Sequence, residues 1–385
     1  MRGVSSRCLL ILLPLAAVFP AQIVRAKTLP QQEERAGRFV GSAGCKSSSC
    51  HGGAGPKRDQ FITWTQRDFH ARSYAVLLNA RSARIAETLG AGSAAASARC
   101  TICHSPFASV ASARLKATAH PDEGVSCESC HGAGENWWRG HTRPDWSHAI
   151  QIAAGMRELH NFYARANACV ACHQNIENAL LKAGHPELRF ELDGQTVSEP
   201  RHWRDEGQWS GVRAWLTGQA VALRESSWAV STEADSGQAG ADRSNALAWL
   251  LAKTTEAAPL PRITWPRADP ATLRAQADGL ARAAATSDWT QTSVEQLRVH
   301  LAATQAEFVQ KGSETTGGLA RRAERLVLAL DRLTVALGDD HSTHANAATA
   351  LGRLREDVKS FERFDAPGFA GHLQDFRYAI TLVSR

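Results

Sequence analysis

Four times in this chain a second cysteine is followed at once by histidine: Cys45-Lys-Ser-Ser-Ser-Cys50-His51, Cys100-Thr-Ile-Cys103-His104, Cys127-Glu-Ser-Cys130-His131 and Cys169-Val-Ala-Cys172-His173. The ninth cysteine, Cys8, lies in an apolar leader. Paired cysteines in an exported chain ordinarily point to a disulfide framework. With 15 histidines in 385 residues, a histidine after every pair is not accidental. Zinc sites also use cysteine pairs, but they do not require an adjacent histidine each time. The pattern points instead to covalent haem. Two thiols one short turn apart add to the two vinyl groups of a porphyrin, and the next histidine presents its imidazole to the iron. The expected cofactors are four covalently bound haem c. Cys45, Cys50, Cys100, Cys103, Cys127, Cys130, Cys169 and Cys172 would attach them, and His51, His104, His131 and His173 would be proximal ligands. The first motif has four residues between its thiols, a loop that can still bulge and present both sulfurs.

The sixth iron position decides between a carrier and an open, ligand-binding haem. After the leader, Met156 is the one methionine left, so histidines must supply most distal ligands. The candidates are His70, His120, His141, His160 and His185, with His148 in a less clear context. His70 lies in Phe61-to-Leu78, read as a helix with His70, Tyr74, Leu77 and Leu78 on one face. His141 follows a Gly-rich loop, His160 precedes the fourth motif, and Pro186 stiffens the loop at His185. His202, His300, His341, His344 and His372 lie beyond the motifs and read mostly as surface residues.

The run Gly124-Val-Ser-Cys127-Glu-Ser-Cys130-His131-Gly-Ala-Gly, followed by Trp137, Gly140 and His141, resembles the tetrahaem cytochrome c family of the nitrifier hydroxylamine pathway. So do Trp64 with His70-Ala71 after the first motif, and His160 before the fourth. The resemblance covers roughly residues 41–190. It implies distal roles for His70, His141 and His160, and a five-coordinate second haem on Cys100, Cys103 and His104. This chain departs from that pattern in its stretched first motif, in the extra candidates His120 and His185, which leave the second haem open or closed, and in its long continuation.

The opening residues have the form of a secretory signal: a basic start, an apolar run from Cys8 to Phe19, and a cut after Ala26. About 12 residues are too few to span a bilayer, which takes roughly 20. The expected location is periplasmic or otherwise exported, with no membrane span after signal cleavage and association with a membrane complex left open. The formal charge of +6 falls to +3 without Arg2, Arg7 and Arg25. Haem propionates bring it close to zero, so the apparent basicity is no argument for nucleic acid.

The expected fold class is mainly α: a loop-rich multihaem c domain with short helices, followed by a C-terminal antiparallel helical bundle. Its parts are a signal peptide at 1–26, a tether at 27–40, the tetrahaem cytochrome c domain at 41–200, a capping helix and linker at 201–267, and the bundle at 268–385. Within 201–267, residues 208–230 read as a helix with Val212, Trp215, Leu216 and Leu223 on one face, which Gly218 and Gln219 interrupt. Residues 231–245 read as a small-and-polar linker. In the bundle, Asp269-Pro270 opens a helix, and Thr292 with Glu295 reads as a capping box. Leu319, Ala323, Leu326, Leu330, Leu333 and Leu337 form a core stripe closed by Gly338. The basic face at Arg321, Arg322 and Arg325 reads as solvated.

Together these features predict a low-potential electron-transfer protein between respiratory redox partner proteins, with no catalytic residue assigned. The alternative is a haem enzyme acting on a small nitrogen or sulfur oxyanion at one five-coordinate haem, with His120 and Arg143 as nearby polar groups.

Overall fold

The computed structural model describes residues 37–382 apart from 56, 194–199, 233–236, 267, 310–314 and 339–344. The expected leader, residues 27–36 of the tether, and His341 and His344 lie outside the described residues. The described chain is mainly helical, as expected, and has no strand; an isolated bridge joins Phe39 to Leu115. Among the described residues no helix is long and apolar enough to cross a membrane.

The first half is built of short pieces. Among them are α1 (Gln60–Arg67), α2 (Ala80–Thr88), α3 (Ala98–His104), α4 (Cys127–His131), α5 (His148–Ala153) and α6 (Phe162–His173). Three of them, α3, α4 and α6, end on the histidine of a motif. The helix expected to run through His70 stops at Arg67. Asp68 is extended, with ψ 129°, and its carboxylate accepts from the His70 N–H at 2.8 Å, which starts a new turn over Phe69–Arg72. An aspartate offers the backbone an alternative to the helical ladder, and here it wins. Residues 38–40, at the described end of the expected tether, are hydrogen-bonded to the domain that follows. Val40 is buried, and its N–H and that of Gly41 donate to the buried Glu128 carboxylate at 2.9 Å and 2.7 Å.

The second half consists of long helices: α7 (Ser210–Thr232), α8 (Gly237–Ala257), α9 (Pro270–Ala285), α10 (Gln291–Ala302), α11 (Thr316–Ala336), α12 (Ala345–Asp357) and α13 (Ala366–Leu382). One apolar core runs from Phe162 to Ile380. The bundle therefore begins earlier than position 268, because α7 and α8 supply fully buried residues to its core, among them Trp215, Leu247, Trp249 and Leu250. Of the linker expected at 231–245, residues 233–236 lie outside the described residues and 237–245 open α8, whose apolar run at 246–251 needs a partner and packs on α11.

Gly218 and Gln219 do not break the α7 face. They receive residues 190–193. A Cβ at Gly218 would lie 2.8 Å from the Leu192 nitrogen. Gln219 is fully buried, and its amide donates to Glu191 Oε1 at 3.3 Å. The basic face of α11 is likewise covered. Arg321 forks onto Glu187 at 2.8 Å and 3.0 Å, buried Arg325 donates to the Phe190 carbonyl at 3.3 Å, and buried Arg322 lies over the rings of Trp249 and Trp265. Sequence alone could not supply these partners, since they lie more than fifty residues away, and those of Arg321 and Arg325 more than a hundred. Asp269 caps α9 through Ala271 and Thr272, but α10 is capped by Thr290 with Ser293, two residues before the expected Thr292.

Candidate functional site

The first motif forms no helix. It closes as a loop in which the Cys50 N–H donates to the Ser47 carbonyl and the His51 N–H to the Cys45 carbonyl, at 2.9 Å and 3.3 Å. Gly52 follows because the loop folds so tightly that a Cβ there would meet the Lys46 carbonyl at 1.9 Å. The two added residues are thus absorbed as a bulge, and His51 still follows the second thiol. In α4, Glu128 between the two cysteines accepts from Val40, Gly41 and Gly134, which fastens the third motif to the chain's first described residues. Burial raises the Glu128 pKa, and those N–H groups oppose the rise.

Each motif histidine stands opposite a second histidine. The ring centroids are 6.1 Å apart for His51 and His141, 5.9 Å for His173 and His70, 6.3 Å for His104 and His185, and 6.3 Å for His131 and His202. Metal–imidazole bonds of about 2 Å on both sides of one iron would set the ring centroids roughly 6 Å apart. The interplanar angles range from 11° to 76°, as they can when two rings share only the axis through the metal.

The other ring nitrogens support the same fit. His51 Nδ1 lies 3.0 Å from Gln60 Oε1, His104 Nδ1 3.1 Å from the Ser73 carbonyl, His185 Nδ1 2.8 Å from the Pro186 carbonyl, and His70 Nδ1 3.0 Å from Asp68 Oδ1. Engaging Nδ1 fixes the tautomer that leaves Nε2 for a metal. Burial pushes His131 and His173 down to about 4 and also lowers His104 and His202. The neutral imidazole so favoured is the ligand form.

All eight described cysteines are free thiols. Cys45 hydrogen-bonds to Cys127 and Cys103 to Cys172. Cys127 and Cys172 are pushed up by that bond and then by burial, while Cys45 and Cys103 are lowered. Cys172 also lies within the electrostatic reach of Cys130. The first motif therefore touches the third, the third approaches the fourth, and the fourth touches the second.

The remaining candidates sit elsewhere. His120 is exposed at the start of the turn Pro121–Glu123, its N–H donating to Glu123 Oε1 at 2.9 Å. His160 stacks on His148, with centroids 5.1 Å apart, rather than standing opposite a motif histidine. Arg143 is exposed and forks onto Asp145 at 2.9 Å and 2.6 Å. His202, read from sequence as a surface residue, is half-buried opposite His131 and edge-on to Trp203 at 4.9 Å. Its one sequence signal is that neighbouring tryptophan.

No curated protein and no solved structure matches the chain. A family model described as cytochrome c554 and c-prime matches residues 44–132, which span the first three motifs and fall short of half the chain. The match supports a c-type cytochrome assignment, and with it covalently bound haem c and a general role in electron transfer.

Proposed function

We propose that the chain is an exported tetrahaem c-type cytochrome that carries electrons at low potential between redox partner proteins. The observation that carries this reading is the set of four histidine pairs. The axial ligands would be His51 with His141, His104 with His185, His131 with His202, and His173 with His70. Haem supplies one-electron iron chemistry when bound, and two imidazoles per iron favour a lower potential than histidine with methionine. The chain's own contribution is to fix each porphyrin by two thioethers and to hold the imidazoles still. Gln60, Ser73, Asp68 and Pro186 hold four of the eight rings from behind. Asp68 bears on His70 as a carboxylate, the kind of outer partner that makes an imidazole a stronger donor.

The thiol contacts join the first motif to the third and the second to the fourth, and electrons would pass between the two pairs from the third to the fourth. His185 opposite His104 favours a closed second haem, so no observation supports the oxyanion enzyme over the carrier. The test is low-temperature EPR on the fully oxidised protein with haem quantified on the same sample. Four haems per chain, all low-spin, are expected. A high-spin haem in the unmodified protein would mean an open iron and would sink the reading.

A further inference from the structure

We infer that the loop between the third and fourth motifs carries a separate site for a divalent transition metal, made by His148, Glu158 and His160. One ligand atom from each lies within 4.8 Å of the other two. His148 is the first residue of α5, and its Nε2 lies 2.5 Å from Glu158 Oε2. The His160 N–H donates to the other carboxylate oxygen at 3.0 Å, which turns the carboxylate toward the two rings. The rings lie 5.1 Å apart at 24°, closer than any of the four pairs opposite a motif histidine. With eight cysteines in four motifs, no thiol pair remains for a fifth covalent haem here.

Two imidazoles and one carboxylate form a borderline donor set with a net negative charge, which suits Zn²⁺. The His148 side chain is 45 % exposed and that of Glu158 34 %. Water can therefore complete the coordination, as at zinc sites with three protein ligands. The loop that presents Glu158 and His160 is held at both ends. The Arg157 N–H donates to the His131 carbonyl at 2.9 Å, and its guanidinium to the Ser129 and Cys130 carbonyls at 2.8 Å. Arg165 Nε donates to the Leu159 carbonyl at 2.8 Å. The donors are thus held near one another by contacts that do not involve the metal.

The test uses the untagged holoprotein, washed with chelator and then dialysed against Zn²⁺, with zinc and iron counted on the same sample. One zinc per four irons is expected. His160→Ala and Glu158→Gln should each weaken zinc binding by about tenfold or more, while the haem EPR spectrum of both variants stays that of the unmodified protein. Absence of zinc uptake would overturn the inference, as would uptake that His160→Ala leaves unchanged. A haem turning high-spin in His160→Ala would overturn it too, by making His160 an iron ligand. None of these outcomes depends on the potential or the partners of the haems.

Discussion

Between Val40 and Trp137 the large apolar side chains that are buried are Val40, Leu77, Ile85, Phe107 and Trp137. From Phe162 to Ile380 a single core holds two fully buried tryptophans, Trp215 and Trp249, and stacks of leucine from seven long helices. The first region is shorter and carries three of the four motifs; the second carries the fourth at its start and none after His173. A segment with so little side-chain core cannot hold itself together by apolar burial in the usual way. Its interior is lined instead by facing imidazoles and thiols, which is the lining that porphyrins need. The second region is held by conventional packing and holds the fourth motif with it, since Phe162, Ala166 and Val170 of α6 belong to its core. The first half has a core that haem would complete, and the second packs against the helix of the fourth motif.

The comparison can be broken most directly by withholding haem. Chain made without haem attachment is expected to lose protease resistance over residues 41–160 while α7 to α13 remain helical by circular dichroism. Equal resistance in both regions would end the distinction. Next in size, Trp215→Ala should cost the bundle about 3–5 kcal/mol, the usual cost of truncating a fully buried aromatic. Its thermal unfolding should shift with no change in the haem spectrum.

A smaller effect follows from Glu191, which burial raises to about 7, with Arg325 and Arg332 opposing the rise. The folded state holds this proton more tightly than the unfolded chain does. The stabilisation is therefore complete below about 4.5 and is lost as pH rises towards 7, by at most about 3 kcal/mol. Glu191→Gln should flatten that part of the stability–pH curve measured by urea unfolding. If the curve keeps its slope, the contact between residues 190–193 and α7 is held by something else. Smallest in energy, His202→Ala should leave the fold intact and turn one haem in four high-spin. Unchanged EPR would remove the link that His202 makes between the two regions.

The motifs, the division into short and long helices and the α11 stripe were legible in the residues, because spacing and periodicity are local properties. His70, His141 and His185 could be picked out as candidates, but which motif each would face could not. The partner of every motif histidine lies far along the chain, and no periodicity spans such distances. His202 read as a surface residue for that reason, and His160, a candidate by its place before the fourth motif and by resemblance, has His148 and Glu158 as neighbours here. Arg321, Arg322 and Arg325 looked solvated because their partners come from residues 187–190, from Trp249 of α8 and from Trp265 in the connection after α8. Tertiary contacts, not helical propensity, decided each of these cases.

The four histidine pairs interlace along the chain. In order of first member they join 51 to 141, 70 to 173, 104 to 185 and 131 to 202. Each pair opens before any other has closed, so a break anywhere between 131 and 141 parts all four at once. The region therefore does not divide into two smaller modules of two motifs each. During synthesis none of the four can be completed until every one has been started.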